Sequence, residues 1–430
     1  MTRQDPIDQL LAGTYPDPDG GPALKVSTRR VVITPALAGR EDTCLDGLPL
    51  GTKLAVVSDP ITHALMGARI ERALGGRATV TSVVLPDHPH ADEETAKRIA
   101  DATTSADALV AVGAGTINDL CKFASAGAGK PYVVYGTAPS MNGYVSTTAA
   151  ITVHGHKKSL AAQAPLGVFL DLGVLASAPP RMIRSGLGDS LCRTTSQADW
   201  LLAHLLFDQP YRLAPFVLLA DDEEPLFAQS DALMRGDLAA MERLVRTLLL
   251  SGFGTAICGS SHPASQGEHL ISHFADMLGD PAWPTAFHGE QIAVTTMTMA
   301  RLQERMLQEC APRVTADAAD EPRLLAVFGE DLGRSCWQDF SQKRLDARRA
   351  EAANARLADR WDRIRGEIER IIRPAANLDR TLQRAGAPKT SDDLGWPRAF
   401  YAKAVDNARL IRNRYTFLDF AANSGMAIAP

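Results

Sequence analysis

The first part of the chain alternates short apolar, β-branched runs with segments of helical periodicity. Apolar runs of this length predict buried strands, and apolar residues three and four positions apart predict amphipathic helices. The pattern predicts strands at 53–59, 79–86, 106–113 and from 131 onward, and helices at 63–74, 93–104 and 116–126. Such alternation is typical of a parallel sheet covered by helices on both faces. In these sheets ligands bind at the carboxyl ends of the strands.

The second part of the chain has a different pattern. After Pro179 strand-like runs nearly vanish, and long amphipathic segments such as 231–252 and 348–372 predict an all-helical region. The charged residues of 343–373 are most simply explained as a solvated helix face. Paired prolines in 178–182 mark the change. We therefore expect three regions, a polar leader (1–27), an α/β domain (28–177) and an all-helical domain (178–430).

The composition of the 430-residue chain is that of an ordinary globular protein, with 45% hydrophobic and 22% charged residues. A formal net charge of -5 provides no basic surface for nucleic acid or an anionic membrane. No apolar run approaches the roughly 20 residues that span a bilayer, and the first residues lack the apolar core of a secretory signal. The six cysteines form no CxxC pair. We expect a cytoplasmic protein with reduced thiols that binds neither nucleic acid nor membrane.

The segment AVGAGTINDLCK (111–122) places two glycines between a predicted strand and a predicted helix. A helix N-terminus offers free N–H groups and a partial positive charge, so this turn is suited to a phosphate. It is not a full GxGxxG motif, and a simple tight turn explains it equally well. Asp59 ends the first clear strand, where an acidic residue binds ribose hydroxyls in dinucleotide sites. It is equally suited to capping the helix that starts at Pro60.

Two further groups of polar residues are candidates for chemistry. The loop GTAPSMNGYVS (136–146) carries hydroxyl and amide side chains beyond what a plain loop requires. In the helical region His269 and His273 are four residues apart, and Asp189 and His288 lie near predicted helix starts. One aspartate and two histidines are a suitable ligand set for Zn²⁺ or a similar ion. A structural role is the more common one for any single histidine, so spacing alone leaves both readings open.

Six segments of the chain together resemble one family. They are GAGTINDLCK, TAPSMNGYVS, GLGDSL, SSHPASQGEH with SHF, FHGE and ARLIRNRYTFLDFA. In this order they resemble the glycerol-1-phosphate dehydrogenase family, which is grouped with iron-containing alcohol dehydrogenases, glycerol dehydrogenases and dehydroquinate synthases. The resemblance covers residues 28–425. It implies a Rossmann-like NAD(P)-binding α/β domain, an all-α domain, and an active-site cleft between them.

The resemblance also implies roles for particular residues. The cofactor-binding set is Asp59, Gly113, Gly115, Thr116, Ile117, Asn118, Asp119, Lys122, Thr137, Ala138, Ser140 and Ser146. The metal ligands are Asp189, His269 and His288. Substrate contacts are Asn142, Asp189, His262 and His273, of which Asp189 and His273 are also catalytic. The implied ion is divalent, with zinc favoured over nickel or iron, and it acts as a Lewis acid during hydride transfer while His273 relays the proton.

The chain departs from the family pattern at the substrate end. Asn142 stands where relatives carry Asp, His262 where they carry Arg, and Gln266 where they carry a small residue. Arg193 for Lys is a milder change. Losing a guanidinium removes a permanent cation suited to phosphate, and losing a carboxylate removes a strong acceptor. We therefore expect a substrate shifted within the polyol-phosphate class.

The default reaction is the interconversion of sn-glycerol-1-phosphate and dihydroxyacetone phosphate by a homo-oligomeric NAD(P)-dependent enzyme. Three alternatives remain. The first is a dehydrogenase of another polyol, polyol phosphate or phosphonate. The second is a lyase of the dehydroquinate-synthase type, although that family normally uses Glu as its first metal ligand. The third is a catalytically inactive binding protein, which Asn142 keeps open.

Overall fold

The computed structural model describes residues 4–153 and 156–428 and divides the chain into two compact units. The first unit comprises the residues up to Ser190 together with Leu213–Ser260, and the second comprises Leu191–Arg212 and the residues from Ser261 onward. The strands are β1 (Arg30–Thr34), β2 (Lys53–Ser58), β3 (Thr79–Val84), β4 (Ala108–Gly113), β5 (Tyr132–Gly136), β6 (Thr148–Val153), β7 (His156–Ala161) and β8 (Gly167–Asp171).

Helices cover most of the remaining chain. They are α1 (Pro6–Ala12), α2 (Pro60–Thr62), α3 (Ala68–Leu74), α4 (Glu93–Ala102), α5 (Gly115–Gly127), α6 (Leu172–Ala176), α7 (Pro180–Leu191), α8 (Arg193–Phe207), α9 (Ala214–Val217), α10 (Ala220–Ala228), α11 (Ser230–Met234), α12 (Leu238–Cys258), α13 (Gly267–Leu278), α14 (His288–Leu307), α15 (Glu321–Phe328), α16 (Glu330–Lys343), α17 (Ala347–Glu369), α18 (Ala375–Ala385), α19 (Arg398–Asn407) and α20 (Phe417–Asn423). A π-helical turn, His63–Gly67, joins α2 to α3. No helix in the described ranges combines the length and the apolar character that a membrane crossing requires.

A parallel six-stranded sheet forms the centre of the first unit, within the described residues, in the order β1-β8-β5-β4-β2-β3. Every residue of β4, β5 and β8 is buried, as expected for inner strands of a sheet covered on both faces. The edge strand β3 is largely exposed. The predicted α/β class is therefore confirmed. Strands β1 and β8 and the antiparallel hairpin β6–β7 were not predicted.

The N-terminal segment is packed, which corrects the expectation of a loose polar leader over 1–27. Asp5 caps α1 by accepting a hydrogen bond from the backbone N–H of Ile7 at 2.8 Å. Leu10 of this helix is fully buried. The Asp5 carboxylate also pairs with Arg246 of α12 at 2.5 Å. Apolar positions within the polar-looking segment thus bury themselves in the first unit.

The boundary between the units also differs from the predicted one at 178. Helix α12 packs against α6, α9 and α10, so residues 213–260 belong to the first unit although they are helical. Periodicity correctly predicts that this segment is helical, but it does not show which elements the helix packs against.

The second unit is all-helical, with an apolar core that includes Phe274, Phe340 and Phe417. Two ion pairs are buried beside this core. Arg409 binds Asp317 through two hydrogen bonds of 2.7 and 3.0 Å, and Lys343 pairs with Asp419 at 2.8 Å. Each charge of these two pairs therefore has an opposite charge as its partner, which offsets the cost of its burial.

Candidate functional site

In the first unit, the turn from β4 into α5 places helix N–H groups at the carboxyl end of the sheet. A Cβ atom on Gly113 would lie 2.5 Å from the Cβ of Ile117, so only glycine allows the helix to pack this tightly on the strand. The N-cap residue of α5 is Ala114, which provides no side-chain cap. Thr116 in the first turn is exposed. The first-turn N–H groups of this helix are thus available to an anionic ligand.

The loop after β5 begins beside this turn. Gly113 and Gly136 are partners in the parallel register, and the Thr137 N–H donates to the Gly113 carbonyl at 3.2 Å. Thr137 and Ser140 are almost buried, with 5% and 9% exposure, and Ala138 is buried as well. The structure therefore places the predicted pyrophosphate turn and the predicted nicotinamide-side residues Thr137, Ala138 and Ser140 at one edge of the sheet.

Two helices of the first unit hold this loop by close backbone approach. A Cβ on Gly186 of α7 would overlap the Pro139 carbonyl oxygen at 1.7 Å, and a Cβ on Gly252 of α12 would lie 2.5 Å from the Asn142 carbonyl oxygen. The Ser185 hydroxyl adds a hydrogen bond to the Ser140 carbonyl at 3.0 Å. Neither helix tolerates a side chain at its contact with the loop.

The same contacts bring Asp189 and Asn142 together. The backbone N–H of Asn142 donates to Asp189 Oδ2 at 2.8 Å, and the Asn142 side-chain amide donates to Ser251 Oγ at 3.1 Å. Asp189 is 2% exposed. A residue predicted to bind metal and one predicted to contact substrate are therefore direct neighbours within the first unit.

Lys122 and Asp119, which are predicted to contact the cofactor, hold the loop and the hairpin through their own hydrogen bonds. The fully buried Lys122 ammonium donates to the Gly143 carbonyl, Ser146 Oγ and the Thr148 carbonyl at 2.6–3.0 Å, and pairs with Asp119 at 3.3 Å. Burial lowers the pKa of Lys122, while Asp119 opposes this shift. Asp119 Oδ2 also accepts the backbone N–H of Ala150 at 3.1 Å. Ser146 is engaged in the same cluster.

The remaining predicted cofactor residues fall into two groups. Ile117 and Asn118 are buried in α5, and Asn118 receives the Tyr132 hydroxyl at 3.4 Å. Asp59 caps α2, since its Oδ1 accepts the Thr62 N–H at 2.8 Å while the Thr62 hydroxyl receives the Asp59 N–H. The capping interpretation of Asp59 is therefore confirmed. The cap uses one of the two carboxylate oxygens of Asp59, namely Oδ1.

In the second unit, α13 and α14 bring three predicted histidines together. The rings of His269 and His288 lie 5.1 Å apart between centroids, and those of His269 and His273 lie 6.2 Å apart. His269 is 6% exposed, whereas His273 and His288 are partly exposed. His288 opens α14, and Glu290 caps that helix by accepting the Phe287 N–H at 2.7 Å. Two imidazoles at this separation suit a shared divalent cation.

Glu268 is a residue that the sequence analysis missed. Its carboxylate lies 3.0 Å from His269 Nδ1 and is fully buried. Neighbours in sequence do not share a helix face, so spacing within α13 did not associate the two residues. The sequence did contain a signal for this contact, because an acidic residue directly precedes a candidate metal ligand near the start of a helix.

His262 lies in an apolar environment near a cation. Its ring is 5.5 Å from the ring of Trp200, and its backbone carbonyl accepts the Gln266 side-chain amide at 3.0 Å. Burial, with the positive charge of Arg414, lowers the pKa of His262 to about 4. Arg414 itself donates to Ser261 Oγ at 2.7 Å and to the Ser265 carbonyl. At neutral pH His262 is therefore uncharged, and Arg414 is the cation that contacts its loop.

Comparisons with known proteins identify the family of the chain. Residues 32–179 match the family described as iron-containing alcohol dehydrogenase. A glycerol-1-phosphate dehydrogenase (NAD(P)+) of Pyrococcus horikoshii is 32% identical over 275 residues, which cover 64% of this chain and 78% of that protein. The chain belongs to the glycerol-1-phosphate dehydrogenase family.

Other members of this family and its structural relatives give the extent of the likeness. A glycerol-1-phosphate dehydrogenase (NAD(P)+) of Halalkalibacterium halodurans is 33% identical over 256 residues, which cover 58% of this chain. That match spans 64% of the relative, less than two thirds of its length. A probable glycerol dehydrogenase of Sinorhizobium meliloti superposes with a TM-score of 0.57 at 17% identity, covering 91% of each chain. This likeness shows a common fold.

Proposed function

We propose that this glycerol-1-phosphate dehydrogenase family member is a metal-dependent, NAD(P)-linked dehydrogenase that interconverts a polyol phosphate and its ketone. The observation that carries the proposal is the pairing of His269 with His288 at 5.1 Å in a chain of this family. The default pair is sn-glycerol-1-phosphate and dihydroxyacetone phosphate. We add a cytoplasmic setting and a homo-oligomeric state to the proposal.

The cofactor is proposed to lie along the carboxyl edge of the sheet. The first-turn N–H groups of α5, with Gly113, Gly115 and Thr116, fit a pyrophosphate because Ala114 provides no competing cap. Thr137, Ala138 and Ser140 would face the nicotinamide end. The other predicted cofactor residues would support this site indirectly, by holding α5 and the loop in place. They are Ile117, Asn118, Asp119, Lys122 and Ser146.

The metal is proposed to be held by Asp189, His269 and His288. An aspartate and two imidazoles fit zinc, with nickel or iron as alternatives. A divalent ion with these ligands supplies Lewis-acid polarisation of the substrate oxygen. His273, on the same helix as His269, would receive or return the hydroxyl proton, and Asn142 would orient a substrate oxygen from the loop.

The test of this function is steady turnover with the purified protein. A panel of polyols and polyol phosphates is assayed in both directions by NADH and NADPH absorbance, with Zn²⁺, Ni²⁺ or Fe²⁺ added to metal-depleted samples. Stoichiometric, sustained cofactor oxidation with a ketone phosphate supports the proposal. A dehydroquinate-synthase-like lyase or an inactive binding protein would show no net cofactor turnover.

We expect the double change Asn142→Asp with His262→Arg to raise activity on glycerol-1-phosphate at least tenfold. His262 is neutral at pH 7 because burial and Arg414 lower its pKa to about 4, so an arginine there adds a cation for phosphate. The new carboxylate adds a strong acceptor for a hydroxyl. A hydrogen bond to a charged group contributes about 1.5–3 kcal/mol, which corresponds to more than tenfold in rate.

His204→Arg is the matched control for this experiment, because it makes the same change at an exposed histidine of the second unit. It should leave glycerol-1-phosphate activity unchanged. Wild-type protein that already reduces dihydroxyacetone phosphate efficiently, with the double variant slower, would refute the shifted substrate. The default family reaction would then stand.

We also expect NADH to be preferred over NADPH by at least several-fold. Asp59 keeps one carboxylate oxygen beyond its helix cap, and a carboxylate near the ribose accepts hydroxyls and repels a 2′-phosphate. Asp59→Asn retains the capping oxygen and removes the charge, so it should narrow the ratio of kcat/KM for the two cofactors without unfolding the protein. If the wild-type protein had equal kcat/KM with NADH and NADPH, Asp59 would be a helix cap without a role in cofactor selection.

A further inference from the structure

Glu268 is a buried carboxylate whose oxygens are both engaged. It is the second residue of α13 and has 0% exposure. Oε1 accepts the backbone N–H of Gln266 at 2.8 Å and lies 3.0 Å from His269 Nδ1. Oε2 accepts the Thr195 hydroxyl of α8 at 3.1 Å. The carboxylate is therefore fixed from three sides within the second unit.

The contact with His269 determines which ring nitrogen carries the hydrogen. An ionised carboxylate can only accept, so Nδ1 must donate to Oε1, and the lone pair of the neutral ring is then on Nε2. A ring held through one nitrogen presents the other in a defined direction. Metal-binding histidines are commonly oriented in this way by a carboxylate.

We propose that Glu268 is a positioning residue that fixes the tautomer and ring orientation of His269 and so raises the affinity of the protein for a divalent cation. The inference rests on the proposed function, in which His269 is a metal ligand. Glu268 acts through His269 and does not touch the substrate. Helix capping alone would require only the Gln266 contact, whereas the His269 contact assigns a second role.

A competing arrangement lies in the same unit. Ligand atoms of Cys192, Glu268 and His269 all lie within 4.8 Å of one another, so these three residues are an alternative cation site. In that arrangement Glu268 would bind the ion itself. The two arrangements differ in their dependence on Cys192 and His288.

The experiment measures the affinity of wild-type and variant proteins for Zn²⁺ by competition with a chromogenic chelator, and records the visible spectrum of the Co²⁺-loaded proteins. Glu268→Gln keeps an oxygen for Gln266 and His269, and its amide can donate to Thr195, whose hydroxyl also reaches the Cys192 carbonyl at 2.9 Å. It therefore removes the charge while preserving the contacts. Glu268→Ala removes both the charge and the hydrogen-bonding contacts.

We expect Glu268→Gln to weaken Zn²⁺ binding about tenfold and Glu268→Ala to weaken it about 10–100-fold, with an altered Co²⁺ spectrum for the alanine variant. NADH binding, followed by fluorescence, should remain as in wild type. Asp346→Asn is the matched control, since it neutralises an acid that caps α17 of the same unit without a histidine contact. It should bind Zn²⁺ normally.

Three results would overturn parts of this account, and they are distinguishable. Wild-type affinity and an unchanged Co²⁺ spectrum in both Glu268 variants would refute the positioning role and leave the proposed function intact. Wild-type protein without any divalent-ion binding would refute the proposed function. Loss of metal in Cys192→Ala with full retention in His288→Ala would replace the positioning role by direct ligation.

Discussion

Protein in which His288 is replaced by alanine is expected to lose both its bound metal and its dehydrogenase activity. The wild-type protein should carry about one divalent ion per chain, held by one carboxylate and two imidazoles. Removing one of three protein ligands should lower activity by at least about a thousandfold, because the divalent ion that would polarise the substrate oxygen is no longer held. Metal content by mass spectrometry and steady-state rates are measured on the same preparations.

The fold should survive this substitution. Glu290 caps α14 through the Phe287 backbone N–H, and that hydrogen bond does not involve the His288 side chain. His273→Ala is the control, because His273 is placed as a proton relay and not as a ligand. It should lower the rate and retain the metal. Full metal occupancy in His288→Ala would remove His288 from the site, and an active metal-free wild-type protein would refute the mechanism.

Replacement of Lys122 by methionine is expected to destabilise the first unit by about 3–5 kcal/mol, the usual cost of removing one partner of a buried ion pair. The Lys122 ammonium supplies donors to three oxygens of the 143–148 segment and pairs with Asp119. Methionine fills much of the volume but leaves those oxygens and the Asp119 carboxylate without their cation. Urea unfolding followed by circular dichroism should show a transition at a lower urea concentration than in the wild-type protein.

Lys97→Met provides the matched control for Lys122→Met. Lys97 pairs with Asp101 on α4 of the same unit, but both side chains are largely exposed. Water solvates the remaining carboxylate, so the urea midpoint should stay close to that of wild type. A Lys122→Met protein as stable as the Lys97→Met protein would show that the buried cluster contributes little.

The sequence predicted the centre of the sheet well. Strands β2, β4 and β5 follow the apolar runs, because inner parallel strands must be apolar along their whole length. The edge strand β3 was also predicted, from its β-branched residues, although it is largely exposed. It did not identify β8, a five-residue buried run that periodicity cannot distinguish from a short buried helix. The hairpin β6–β7 was missed as well. Its partner Asp119 lies in α5, outside the local pattern.

Prediction of the site was limited by the same dependence on partners. The histidines of α13 and α14 were identified from residue type and order, and their proximity is visible in the structure. Lys122 was assigned to the cofactor, yet its ammonium is buried among loop oxygens that lie far along the chain. Glu268 was missed because its contact with His269 depends on how a side chain turns at a helix start. Residue types are readable from sequence, but burial and direction require the fold.

The interrupted path of the first unit has a consequence for how the chain is made. Strand β8 joins β1 to β5 in the sheet, so the sheet cannot close before residue 171 is available. Helix α12 completes the same unit only at residue 258, after 191–212 of the other unit have been synthesised. A ribosome translating this protein therefore carries two unfinished apolar cores at once. Non-local pairing of this kind slows folding and favours aggregation, so the first unit should depend on chaperones until translation passes Ser260.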